Sequence, residues 1–141
     1  TASKDGKLFY KVDDNSYGYM KQNINLSSND YGQYLLFSLD RSSYNDSDGN
    51  KFIFEFFNIN GDSLNTRTSN LSIANSSLIE SYVYIMSNIP NNTSYVNINI
   101  EFIRGYGTNN DGYIRNMKLD VVSRIFEPYI NKLYDHIIYL N

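Results

Sequence analysis

The chain lacks cysteine and tryptophan altogether, and has one histidine and two prolines in 141 residues. Without thiols there is no disulfide framework, no Cys/His zinc site and no thiol nucleophile. The lone imidazole, His136, has no matched nucleophile near it in the sequence and reads as a surface or packing residue rather than a general base. Apolar runs are only a few residues long, as in Tyr34-Leu35-Leu36-Phe37, so no membrane-spanning helix is encoded. A Gly-rich phosphate loop is also missing: Gly105-Tyr106-Gly107 has neither the lysine nor the following helix that such a loop needs. Charge is close to balanced, with 12 Lys and Arg against 15 Asp and Glu, a net of -3. That argues against a nucleic-acid binder, which usually shows a basic stripe. No signal peptide is visible, and the opening on Thr1 rather than Met reads as a processed product or a piece of a longer polypeptide. A cysteine-free chain suits a reducing cytoplasm or a bacterial or phage surface protein that does not rely on disulfides.

What is present is a single domain's length of moderately apolar chain, 41% hydrophobic and 16% aromatic with 19% charged residues. Such a chain can bury a core and is not a disordered, solvating one. Period-two alternation recurs in short blocks separated by turn residues, the pattern of half-buried strands. Met20, Ile24 and Leu26 fall on one side of the block 19–26, with Gln22 as the exception, while Lys21, Asn23 and Asn25 fall on the other. Further strands are expected over 33–40, over 51–58 (apolar on both sides), over 82–86 and over 113–122. The clearest alternation is 95–103, with Val96, Ile98, Ile100 and Phe102 inward and Tyr95, Asn97, Asn99 and Glu101 outward. Segment 63–77 is polar and ambiguous apart from a short Leu71-Ser72-Ile73 strand. Six or seven strands at this spacing indicate an all-β antiparallel sandwich or jelly roll spanning 17–123, preceded by an N-terminal segment, 1–16.

The tail, 124–141, is expected to be helical or extended. Phe126, Tyr129, Ile130, Leu133, Tyr134, Ile137 and Ile138 recur at three- and four-residue intervals after Pro128, which predicts a helix from about Glu127 to Leu140. A helix that short needs its apolar stripe packed on something, either its own sandwich or a neighbouring subunit.

Three groups of side chains carry chemistry. Glu55 and Glu101 are the carboxylates on strands, and a glycosidase would need such a pair converging on a cleft; both point outward, and the reading is non-enzymatic. Asp46-Ser47-Asp48-Gly49-Asn50 alternates oxygen ligands around a glycine, so Asp46, Asp48 and Asn50 are candidate ligands of a structural calcium, although the downstream glutamate of an EF-hand is absent and a plain Asx turn is the stronger reading of the segment. Fourteen tyrosines set among amides form the third group. A tyrosine offers a flat apolar face and a hydroxyl, which suits a sugar ring with its apolar CH face and equatorial hydroxyls. Candidate ligand-binding residues are Tyr95, Asn97, Asn99 and Glu101 on the sheet face, with Arg104, Tyr106 and Tyr113 at the rim.

The order of the blocks resembles a carbohydrate-binding module of the xylanase-associated jelly-roll type, within the galactose-binding-like sandwiches. The similarity runs from about Tyr17 to Ser123, through Tyr19-Met20-Lys21-Gln22-Asn23-Ile24, Phe52-Ile53-Phe54-Glu55-Phe56-Phe57 and above all Ile89-Pro90-Asn91-Asn92-Thr93-Ser94-Tyr95-Val96, a proline-containing turn feeding an alternating strand. Asn116 stands where members often have Asp, and tyrosine replaces the tryptophan that many use for stacking. The resemblance implies a lectin-like module of a larger secreted or surface protein. It would bind a glycan or cell-surface polysaccharide outside the cell, at a cell surface or on a virion. The alternative is a structural component such as a phage tail or virion protein, whose C-terminal tail docks a further copy or a neighbouring subunit.

Overall fold

The computed structural model describes residues 2–4, 7–9, 17–43, 49–69, 72–73, 81–104, 112–123 and 137–140. Within them the strands are β1 (Ala2–Lys4), β2 (Lys7–Phe9), β3 (Tyr17–Asn25), β4 (Tyr34–Ser43), β5 (Gly49–Phe57), β6 (Ser63–Thr68), β7 (Ser72–Ile73), β8 (Ser81–Asn88), β9 (Tyr95–Ile103), β10 (Gly112–Val122) and β11 (Ile137–Tyr139). Apart from a β1-β2 hairpin they form two sheets, ordered β10-β4-β8-β11 and β3-β9-β5-β6, with β7 pairing the start of β5. The expected all-β antiparallel sandwich is what forms. The chain changes sheet between β3 and β4, β4 and β5, β7 and β8, β8 and β9, and β9 and β10, so that the loops gather at the two ends of the sandwich.

The core lies where the period-two pattern places it. β5 contributes Phe52, Phe54 and Phe56, and β9 contributes Val96, Ile98, Ile100 and Phe102. From the other sheet Leu35, Phe37, Leu39, Val83, Ile85 and Ile114 meet them, with Phe37 edge-on to Phe54 at a centroid distance of 6.3 Å. β4 is apolar on both sides because both its faces are buried. Tyr34 and Leu36 alternate with Leu35 and Phe37 and pack with Met86, Tyr84 and Val122 in a second cluster on the opposite face.

Two parts of the chain differ from expectation. Segment 63–68 is a strand, although its polar composition leaves it ambiguous in the sequence. β6 is an edge strand whose core side carries Asn65 and Arg67 and whose outer side carries Thr66 and Thr68, so apolar alternation is absent. Charged and polar residues on an edge discourage further pairing. The expected helix is corrected at its C-terminal end: Ile137–Tyr139 is a strand parallel to β8, and Leu140 N donates to Met86 O at 2.8 Å. Pairing with an open sheet edge and seating Leu140 in the core outweigh the weak helical preference of one short segment. The rest of that expectation, 124–136, lies outside the described residues. Residues 137–140 therefore pack on their own sandwich.

Candidate functional site

The outer face of the sheet β3-β9-β5-β6 carries the sequence-derived candidates in register. Asn25, Tyr95 and Phe57 form one cross-strand row; Asn23, Asn97 and Glu55 the next; then Lys21, Asn99 and Ile53; and finally Tyr19, Glu101 and Lys51. Tyr95, Asn97, Asn99 and Glu101 are half-buried and alternate with four buried core residues, as expected for outward positions on a central strand. They do not converge, since Tyr95 and Glu101 are six residues, about 20 Å, apart along β9.

Each has its own environment. Tyr95 stacks on Phe57, with centroids 4.9 Å apart and planes 12° apart, so one ring face is already covered. Asn97 and Asn99 lie between the long side chains of the neighbouring strands, and the Oδ1 of each is buried without a hydrogen-bond donor. Tyr19 is 59% exposed in the row of Glu101 and Lys51, about 7 Å along β9 from Asn99 and about 14 Å from Asn97. Glu55 and Glu101 are four residues, about 13 Å, apart along the sheet, too far for the roughly 5–9.5 Å of a glycosidase pair. Glu55 accepts a hydrogen bond from Thr66 Oγ1 at 3.1 Å.

The rim candidates are scattered. Arg104 follows β9 at the end of the sandwich opposite Tyr95, Tyr113 lies in β10 of the other sheet opposite Ser42, and Tyr106 lies outside the described residues. Of the proposed calcium ligands, Asp46 and Asp48 lie outside the described residues. Asn50 does not face a loop: it shares the inward phase of Phe52, is fully buried, and neither Nδ2 nor Oδ1 has a partner. An inward strand position at the start of β5 turns its amide away from solvent. Among the described residues no three acidic or imidazole side chains gather where they could hold a metal. Arg41, which shares the inward phase of Leu39, has its guanidinium pushed below the ordinary arginine value by desolvation.

Two concavities escape sequence reasoning because each is formed by elements distant in the chain. At the Tyr95 end, an open depression of about 470 Å³ is lined by Leu26, Tyr31, Ile59, Asn60, Asn92 and Thr93. Its floor is tied by Leu26 N to Ser94 O (2.9 Å) and Gly32 N to Ile89 O (3.1 Å). The turn beside it is over-determined: Asn58 Oδ1 accepts from the backbone N–H groups of Asn60 and Asp62, both at 2.9 Å, and Gly61 takes φ +84°. That turn holds Ile59 86% exposed.

The second concavity is a groove of about 340 Å³ between the edge strands β3 and β10, floored by Phe37, Ile98 and Ile100. Met20, Ile24, Met117 and Leu119 form its apolar walls, with Lys21 and Lys118 among its lining residues. Gln22, the exception in the alternation of β3, lies here: it has the inward phase, but the groove leaves it wet. A bulge in β10 between Arg115 and Lys118 brings Met117 to this side, and Asn116 takes φ +52° within it.

Fold and surface together define a jelly-roll-like β-sandwich in which the outer face of the β3-β9-β5-β6 sheet carries amides and tyrosines. No protein-family model matches the chain, and no curated protein matches it. Among solved structures it is similar to the enzymatically active domain of tailspike protein 4 of bacteriophage CBA120. The TM-score is 0.56 at 13% identity, over 75% of this chain and 14% of the tailspike chain. A chain in the structure of infectious bursal disease virus, Gt strain, is similar at TM-score 0.48 and 11% identity, over 84% of this chain and 33% of that one. The chain thus spans a small part of the proteins it resembles, and the likeness to the tailspike supports the fold. These likenesses do not confirm a carbohydrate-binding module of the galactose-binding-like type. Among the described residues no helix is long and apolar enough to cross a membrane.

Proposed function

We propose that the chain is a non-catalytic β-sandwich module of a virion or phage-tail assembly. The observation that carries this reading is the likeness over 75% of the chain to a segment that makes up 14% of a phage tailspike polypeptide. A sandwich whose loops gather at its ends and whose sheet faces are tightly packed is suited to serve as a rigid building block. Peptide mass spectrometry of particles purified from the organism that encodes the chain is expected to find it in amounts comparable with other structural proteins. Its absence from purified particles overturns the reading.

A second reading, glycan binding on the β3-β9-β5 face, is favoured by one observation: Tyr19, 59% exposed, stands in one cross-strand row with Glu101 and Lys51. A sugar ring would stack on the tyrosine while its hydroxyls bond the carboxylate and ammonium of the same row, giving weak single-site binding that repetition multiplies. A multivalent sample on a glycan array is expected to bind, and Tyr19→Ala to abolish the signal without loss of fold. A folded multivalent sample with no ligand overturns it.

A further inference from the structure

The turn Asn58–Asp62 holds its isoleucine rigidly in water. Three hydrogen bonds from or to the Asn58 side chain and a glycine in the left-handed region fix the loop around Ile59, yet that side chain is 86% exposed. Isolated exposed apolar residues are ordinary; one displayed on an over-determined turn presents a preformed contact whose ordering entropy has already been lost. Beside it stands Asp62, so the tip is apolar and acidic.

The opposite features occur in the groove between β3 and β10. Its walls and floor are apolar, two of the chain's three methionines line it, and Met117 is 44% exposed at its mouth. Methionine adapts its shape to an entering side chain. Lys21 and Lys118 stand at the groove, Lys118 being 3.4 Å from Asp120 and Lys21 exposed on the outer side of β3. The volume, about 340 Å³, exceeds that of a branched aliphatic side chain and leaves room for the flanking turn atoms. Within one molecule the two features cannot meet: β9 and β3 stand between the end of β5 and the groove, two strand spacings or about 10 Å, and the turn is fixed.

The geometry points to a contact between copies of this chain, in which the Ile59 knob of one enters the β3/β10 groove of another with Asp62 toward Lys21 and Lys118. An apolar knob matched to a pocket elsewhere on the same molecule makes self-assembly possible, as a reciprocal dimer or a head-to-tail series. The inference deepens the assembly reading and rests on it.

Sedimentation equilibrium of the full chain over a concentration series tests it. The wild-type chain is expected to associate reversibly, and Ile59→Ser and Met117→Asp each to weaken association at least about tenfold with unchanged folding. If Met117→Asp does not fold, Lys21→Glu on the exposed groove rim serves in its place. An equimolar mixture of the Ile59→Ser and groove variants is expected to associate again, because one supplies an intact groove and the other an intact knob. A chain monomeric at every concentration, association indifferent to Ile59→Ser, or a mixture that does not associate overturns the inference. A chain found in purified particles but failing these tests sinks the contact alone, whereas absence from particles sinks the assembly reading.

Discussion

At Asn50 an uncharged amide sits fully buried with both ends unpartnered, next to a row of phenylalanines on the same side of β5. Burying an amide without hydrogen bonds costs about 1–3 kcal/mol on the scale of protein substitutions. Asn50→Leu, close to it in shape, is therefore expected to leave stability unchanged or to raise it by about 1 kcal/mol in urea unfolding. A loss of several kcal/mol would show that the amide is satisfied. Asn116 is the reverse case, a polar group with a buried partner. Its Nδ2 donates to Asp40 Oδ2 at 2.7 Å, with Arg115 Nε 3.6 Å from the same oxygen, and Asp40 is buried. The resemblance to carbohydrate-binding modules places an aspartate here, but a carboxylate cannot donate to a carboxylate. Asn116→Asp is expected to destabilise the fold by about 1–3 kcal/mol at neutral pH. Two like charges raise the folded-state pKa of the pair, so the penalty is present above that pKa and fades as acid protonates one of them. Urea midpoints measured at pH 7 and near pH 4 check the sign.

At the scale of elements, legibility follows burial. β9 is expected over 95–103 and forms over Tyr95–Ile103, because a central strand with one buried face has every second residue selected for the core. β5 reads as apolar on both sides because Phe52, Phe54 and Phe56 are fully buried while Ile53 and Phe57 are half-buried on a broad outer face. Truncating the middle of this row, Phe54→Ala, is expected to cost about 3–5 kcal/mol in chemical unfolding, among the largest single losses in the molecule. β6 is not legible, since an edge strand needs only backbone pairing and tolerates polar residues on both sides. What continues its pairing is Ser69, whose N–H donates to Phe52 O (2.9 Å) while its Oγ accepts from Phe52 N (3.0 Å). The two concavities were illegible for a different reason. Asn58 to Asp62 announces itself as a turn in sequence, but its neighbours at the depression, Tyr31 and Asn92, come from loops far along the chain.

For the molecule as a whole, the C-terminal strand decides how the tail can be tested. β11 closes the edge of the sheet at β8, and Leu140 belongs to the main core cluster. Deleting residues 137–141 is thus expected to lower the melting temperature by several degrees and to promote aggregation through the bared β8 edge, in thermal unfolding followed by light scattering. A shortened chain that stays as stable and as soluble as the full one would show β11 to be dispensable. A mass change on such truncation does not by itself report a lost subunit contact. The sequence alone determined the all-β class, the inward row of β9 and β5, and the outward row of Tyr95, Asn97, Asn99 and Glu101, because a period of two is local and burial writes it directly into residue type. Only the tertiary structure decided that Tyr95 is covered by Phe57, that Asn50 faces the core, that Ile137 to Tyr139 form a strand, and that an apolar groove lies open between β3 and β10. Each of those depends on which strand becomes whose neighbour, and strand neighbours are chosen by long-range pairing that no local pattern records.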